Sequence, residues 1–403
     1  MRLLYLCHRI PYPPDKGDKI RSFHQVEFLG RRHEVDLFTL VDDADDLIHL
    51  EPLKQLVRSV TAERLRKRTA RLLSLRALVK GEALSAAYFR NRRLLAAVRH
   101  ALATRSYDLA VVFSSNMAPY LSGWHGRRAL DFVDLDSAKW SSYAEQLRLS
   151  PLGWLYRREG RKLRQLERSL AETADLTILC SPREEQDLRR FCHPRNAVTV
   201  QNGTDVEYFH PEPGFEEGSE LVFTGAMDYR ANADAVEWFV REVLPGIQAR
   251  CQGTRLVIVG SNPGRSVERL EEEPGVKVTG RVKDVRPYLW GGKVSVAPLR
   301  VARGIQNKVL EALACGLPVV ATPAALSGIG EADGVRLGET PQQMVDEVCE
   351  LLENPALRRD LSAAGRRFVE EKFCWEAQLG RFQELLAAAA SSVESNSAEE
   401  SRA

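Results

Sequence analysis

Residues 294–322, VSVAPLRVARGIQNKVLEALACGLPVVAT, restrict the fold more than any other stretch of the chain. The run opens with small and β-branched residues, breaks at Pro298 and passes through Arg303 and Gly304. It then sets Val309, Leu310, Leu313 and Ala314 at three-to-four-residue spacing, the period of a helix with one apolar face. Gly316 stops that helix, and Pro318 leads into a second apolar strand, Val319-Val320-Ala321. A helix entered through a glycine loop turns unbonded N–H groups, and the positive end of its dipole, toward whatever lies in front of it. Phosphate is the usual occupant. Glu311 stands inside this helix among apolar residues, where an unpaired charge is costly to bury. A pair of ribose hydroxyls would partner it. An ordinary βαβ unit with a solvated glutamate and a capping glycine would use the same residues, so the pattern alone leaves both readings open.

The stretch LEALACGLPVVAT resembles the C-terminal signature of retaining glycosyltransferases of family 4. Their fold, GT-B, has two Rossmann-like βαβ domains facing a cleft. HRIPYPPDKGDKIRSFHQ near the N-terminus and FTGAMDYRANADAVEWF also resemble a narrower group, the sugar transferases associated with PEP-CTERM/exosortase exopolysaccharide systems. These matches run from Met1 to about Trp375. In family 4 two glutamates separated by seven residues face the nucleotide sugar. Glu311 matches the second, which holds the ribose, whereas the position of the first is Arg303. The resemblance further implies that Arg230, Lys308 and the amides of Gly304 and Ile305 meet the diphosphate, and that Arg281 and Val282 hold the base through their main chain. It places the first loop, with Gly17, opposite Glu311.

A chain of 403 residues exceeds what one core comfortably holds, so two domains are expected. With 44% hydrophobic and 28% charged residues, it has the composition of a globular protein. No segment approaches the roughly 20 apolar residues needed to span a bilayer, and the first residues have no signal-peptide layout. A cytoplasmic location is expected. The seven cysteines are scattered with no CxxC, which suits reduced core thiols better than disulfides or zinc. A net charge of +2 gives no global case for nucleic acid.

Along the chain, a first strand ends at His8, where α/β sheets place ligands, although a lone histidine also serves structural roles. Basic residues from Arg58 to Lys80, interleaved with leucines in a helix-rich region, fit either a helix lying on an anionic membrane or a solvated face. The strand ALDFVDLD closes on Asp134 and Asp136, which share a face while the chain stays extended. They either orient sugar hydroxyls, at the place where relatives often carry histidine, or cap the next helix. The domains expected are 1–203, completed by a returning helix 376–390, and 204–375. Residues 391–403, poor in apolar side chains, are expected to form a disordered tail.

The function expected is transfer of a hexosyl group, with retention, from a nucleotide-diphosphate sugar to a saccharide or lipid-linked saccharide in exopolysaccharide or cell-surface glycan synthesis. Asp134, Asp136 and His8 are the candidate catalytic residues. Gly17, Arg230, Arg281, Val282, Arg303, Gly304, Ile305, Lys308 and Glu311 are the candidate donor-binding residues. Asp43 and Asp45 also spell Asp-x-Asp, but a pattern so short is weak support for a metal, and neither metal nor other cofactor is expected. Two rivals share the layout, a nucleotide-sugar epimerase and a non-catalytic partner subunit. The partners expected are the donor, the acceptor and an anionic surface on the inner face of the cell membrane.

Overall fold

The computed structural model describes residues 1–14, 17–43, 45–146, 150–214, 218, 220–302 and 305–391. The chain forms two compact units, Met1–Val200 with Leu379–Ala403, and Gln201–Gln378. In the first, seven parallel strands lie in the order β3-β2-β1-β4-β5-β6-β7. They are β1 (Arg2–Cys7), β2 (Glu34–Val41), β3 (Ser59–Arg64), β4 (Leu109–Phe113), β5 (Arg128–Val133), β6 (Leu176–Leu179) and β7 (Ala197–Thr199). In the second, six parallel strands follow the order β10-β9-β8-β11-β12-β13. These are β8 (Glu220–Thr224), β9 (Arg255–Val259), β10 (Val276–Val278), β11 (Gly292–Ala297), β12 (Val319–Ala321) and β13 (Val335–Leu337).

The central strands are near-continuous apolar runs because helices cover both faces of a parallel sheet. Leu3, Leu4, Leu6, Val111, Val222, Ile258 and Val320 are all buried. Eight helices bear on the argument: α1 (Gly17–Gly30), α2 (Lys67–Ser74), α3 (Arg76–Lys80), α4 (Asp136–Gln146), α5 (Pro151–Thr173), α6 (Arg230–Trp238), α7 (Asn307–Ala314) and α8 (Trp375–Ser391). Helix α8 begins in the second unit and continues into the first from Leu379. There Arg127 Nη1 donates to the Ala389 carbonyl at 2.6 Å.

Strand order reverses direction twice, between β1 and β4 in the first sheet and between β8 and β11 in the second. Each reversal opens a crevice beyond the carboxyl ends of the strands, where open α/β sheets bind ligands. His8 and Ser114 follow β1 and β4 directly, and Gly225 follows β8. The candidate residues therefore cluster at positions that topology has already left open.

Strand β3 departs from the expected helix-rich stretch. Its sequence SVTAER is only half-buried, so it lacks the apolar run that marks the inner strands, yet it pairs with β2 from Ser59 to Arg64. A polar anchor holds this edge. Arg58 donates from Nε and Nη2 to Asp36 at 3.0 and 2.7 Å, while Ser59, Arg105 and Tyr107 bond the same carboxylate. Burial alone would raise the Asp36 carboxyl, but the hydrogen bonds from Arg58, Ser59, Tyr107 and Arg105 outweigh it and hold it at about 2.

Because the folded carboxyl is depressed, its stabilisation is full above the ordinary aspartate range and is lost as pH falls toward 2. Asp36→Ala should cost about 2 kcal/mol at neutral pH, since it strands several donors. Urea denaturation of the two proteins should show that gap closing as pH is lowered through about 4 to 2. A gap independent of pH would contradict the ionic role.

Candidate active site

Helix α7 supplies the centre of the second unit's crevice. Its inward face, Val309, Leu310, Ala312, Leu313 and Ala314, is buried in the core, which fixes the helix rotation and leaves Lys308 and Glu311 on the side of the opening. Lys308, Glu311, Asn307 and Ile305 line a pocket of about 450 Å³ together with Thr224, Gly225, Ala226, Val259, Gly260, Ser261, Arg281, Val282 and Val285. The helix begins at Asn307, so its N-terminal end opens at the same place, with the Val309 N–H already donating to the Gln306 carbonyl at 2.9 Å.

Two glycines form part of the pocket wall. At Gly260 a Cβ would come within 1.7 Å of the Gly225 carbonyl oxygen. Gly225 has φ +155°, and a Cβ there would meet Asn232 Nδ2 at 2.7 Å and Lys308 Nζ at 3.0 Å. Glycine at both positions lets the ends of β8 and β9 pack closely and leaves room for the Asn232 and Lys308 side chains.

Lys308 is clamped. Its Nζ donates to Asn232 Oδ1 at 2.5 Å, and Asn232 in turn donates from Nδ2 to the Ala226 carbonyl at 2.8 Å. The ammonium also lies 4.3 Å from the centre of the Phe223 ring, a cation–π arrangement. Enclosure by the protein lowers the Lys308 amine to about 7, against the pull of Glu311. The same enclosure raises Glu311 to about 7, against the pull of Lys308. Both side chains are half-buried, because their remaining surface faces the open pocket rather than bulk water. The result is an amine and a carboxyl held three residues apart on one helix, each able to carry charge when a ligand supplies the counterpart.

In the first unit, a second constellation gathers at the ends of β1, β4 and β5. His8 stacks parallel to Phe113, with ring centres 5.9 Å apart, and meets the edge of Phe89 at 5.2 Å. Asn116 donates from Nδ2 to Asp136 Oδ2 at 3.0 Å. Burial raises the Asp136 carboxyl, while the charges of Lys139 and His8 oppose the shift. His8 and Asp136 thus share one electrostatic environment. Two residues here hold positive φ, Ser114 at 77° and Val133 at 65°. For a β-branched residue that is a true outlier, a conformation kept only where surroundings over-determine it. Below it, Asp131 receives Arg21 Nε at 2.9 Å and Gln25 Nε2 at 2.6 Å, and its other oxygen accepts the Val133 N–H at 3.0 Å.

The structure sorts the expected residues. Lys308, Glu311, Ile305, Arg281 and Val282 come together in one pocket. Arg230 does not line it: as the first residue of α6 it is exposed. Arg303 and Gly304 lie outside the described residues, as does the Lys16 of the first loop. Gly17 opens α1. Asp134 and Asp136 do not share an extended face, because β5 ends at Val133 and its left-handed turn sends the chain into α4 at Asp136. Asp134 is exposed and accepts the Cys180 thiol at 2.8 Å. Of the pair, only Asp136 joins His8. Asp43 is exposed, and among the described residues no group of three or more His, Cys, Asp or Glu could hold a metal. Sequence reasoning missed Asn232 and Gly260. The first is a polar residue in a helix that otherwise reads as amphipathic. The second, the glycine ending RLVIVG, carried a signal that could have found it.

Solved structures with the same fold define the class. Sucrose-phosphate synthase from Thermosynechococcus elongatus matches with a TM-score of 0.63 at 20% identity, over 96% of this chain and 98% of that one. HepE from Anabaena, in complex with UDP-glucose, matches with a TM-score of 0.62 at 14% identity, over 96% and 100%. The fold is therefore GT-B, built from two Rossmann-like parallel-sheet units. Residues 218–354 match the family model described as Glycosyl transferases group 1. A GDP-mannose-dependent monoacylated alpha-(1-6)-phosphatidylinositol monomannoside mannosyltransferase from Corynebacterium glutamicum is 29% identical over 250 residues. That alignment covers 55% of this chain and 65% of the relative. No helix among the described residues is long and apolar enough to cross a membrane.

The Lys308 amine should titrate near 7 in a side-chain NMR experiment on the full chain. Glu311→Gln should move that midpoint further down, because it removes the negative charge that holds the proton. A midpoint in the ordinary lysine range, near 10, would contradict the enclosure.

Proposed function

We propose that this chain is a retaining glycosyltransferase of family 4 type. It would move a hexosyl group from a nucleotide-diphosphate sugar to a saccharide or lipid-linked saccharide acceptor, in the building of exopolysaccharide or another cell-surface glycan. Its place would be peripheral, on the inner face of the cell membrane. The observation that carries the reading is the clamped Lys308 beside Glu311 in a pocket at the start of α7. A diphosphate fits the amine and the helix N-terminus, and ribose hydroxyls fit the carboxylate. The match of residues 218–354 to group 1 glycosyl transferases supports a sugar donor. So does the GDP-mannose dependence of the Corynebacterium glutamicum relative.

In the proposed reaction the acceptor hydroxyl oxygen bonds to the anomeric carbon on the face from which the diphosphate departs. The bond from that carbon to the diphosphate oxygen breaks, and its electron pair leaves with the diphosphate. The acceptor proton passes to a phosphate oxygen. Charge building on the leaving group is met by Lys308 and by the first-turn amides of α7, donors that need no rearrangement. The amides of Gly304 and Ile305, with Arg303 next to them in sequence, would meet the same diphosphate, and main-chain groups at Arg281 and Val282 would meet the base. Asp136, with His8 beside it, would orient hydroxyls of the sugar or acceptor, and the Gly17 end of α1 belongs to the same acceptor half. Arg230 and the exposed Asp134 have the weakest structural support. No step needs a metal or another cofactor.

Calorimetry with a panel of UDP, GDP, ADP and TDP sugars should find one preferred donor. Glu311→Ala should weaken it by about 10- to 100-fold through loss of charged hydrogen bonds. Affinity should peak near pH 7. It falls on the alkaline side as Lys308 loses its proton, and on the acid side as Glu311 gains one, so Glu311→Gln should flatten the acid limb and, by lowering the Lys308 midpoint, move the alkaline limb to lower pH. With acceptor, NMR of the product should show the donor's anomeric configuration. Interconversion of donor without acceptor would favour an epimerase, and absence of binding by any sugar nucleotide would favour a silent subunit.

A further inference from the structure

Helices α2 and α3 pack the wrong way round for a purely structural element. Their buried residues are the small ones, Ala70, Ser74 and Ala77, whereas Leu72, Leu73, Leu75, Leu78 and Val79 are exposed, Val79 by 93%. A stripe of large apolar side chains turned outward marks an interaction surface rather than a core face. Helix α5 extends it. Arg158 donates from Nη2 to the carbonyls of Ala77 and Glu82 at 3.0 and 3.1 Å, tying α5 to the end of α3. One turn earlier, on the same side of α5, Trp154 is 59% exposed.

Beside this stripe lies a pocket of about 640 Å³ that shares Leu73 with it and takes Arg76 and Lys80 from α3. Seven cations line it, Arg64, Arg66, Arg76, Lys80, Arg90, Arg92 and Arg93, against the two carboxylates Glu63 and Glu82. Arg90 pairs with Glu82 at 3.1 Å. Among the described residues the other six cations have no carboxylate partner. Like charges gathered in a concave site repel one another, and a polyanionic occupant would relieve that repulsion.

We propose that this face docks on an anionic bilayer, with lipid phosphates entering the basic pocket and Leu72, Leu75, Leu78, Val79 and Trp154 entering the interfacial layer. The charge complementarity and the adjoining apolar stripe select a bilayer over a soluble anion. Only an amphiphilic surface satisfies both halves of the patch at once. The inference deepens the peripheral placement proposed above by naming the surface and its ligand chemistry. It is separable from the transferase reading, because docking needs neither donor nor acceptor.

The test is flotation of the full chain with vesicles of phosphatidylcholine alone and of phosphatidylcholine with phosphatidylglycerol. The protein should float only with the anionic vesicles, and added salt should release it. Trp154 emission should shift to the blue on binding, with Trp154→Phe as control. Arg66→Glu with Arg92→Glu, and separately Leu72→Ser with Val79→Ser, should each weaken flotation by about tenfold or more, while thermal melting and donor binding stay unchanged. All four residues are exposed, and the salt dependence of the unaltered protein tests the charge component without any variant. Equal flotation with neutral vesicles, or full binding by both variants, would overturn the proposal. Retention on heparin without flotation would overturn it too, assigning the pocket to a soluble polyanion.

Discussion

Enclosure of two opposite charges on one helix is the constraint on which the second unit's site depends. Lys308 and Glu311 lie three residues apart on α7, and the apolar residues between and behind them are fixed in the core. The protein therefore presents an amine and a carboxyl to a pocket whose wall includes Gly225 and Gly260. Burial pushes the two groups toward each other in acidity, so each can gain or lose a proton near neutrality. The Asn232 clamp and the Phe223 ring spend Lys308's freedom before any ligand arrives, which is the preorganisation an electrostatic site requires.

The first unit solves a related problem by different means. Its crevice depends on backbone forced out of ordinary geometry at Ser114 and Val133. The fully buried Arg21–Asp131 pair, reinforced by Gln25, holds the Val133 turn through the Val133 N–H. Removing one partner of such a pair leaves an uncompensated charge, a far larger penalty than the pair's own net worth. The arrangement sets His8, Asn116 and Asp136 at the strand ends without any of them being needed for the core.

Much of this was legible in the sequence because strands buried on both faces advertise themselves. LLYLC, LAVVF, RLVIV and VVA are the apolar runs expected of strands buried on both faces, and the glycine-loop-to-helix pattern pointed to Lys308 and Glu311. What stayed hidden depended on contacts distant in sequence or on backbone torsion. Strand β3 is half polar and is fastened by Asp36, more than twenty residues away. The Val133 turn, which parts Asp134 from Asp136, has no residue signature, since valine is the last choice for positive φ. Asn232 acts on a lysine 76 positions further along. Arg230 failed to reach the pocket because helix α6 starts at it and turns it outward, a detail of one residue in helix phase that no spacing argument resolves.

The central claim is that the Lys308–Glu311 pair grips a nucleotide-diphosphate sugar. A crystal structure of the protein with its preferred nucleoside diphosphate tests it most directly. The account predicts the diphosphate within hydrogen-bonding distance of Lys308 Nζ and the first-turn amides of α7, with the ribose hydroxyls on the Glu311 carboxylate. A nucleotide bound elsewhere, or seated in this pocket with its ribose turned away from Glu311, would contradict it.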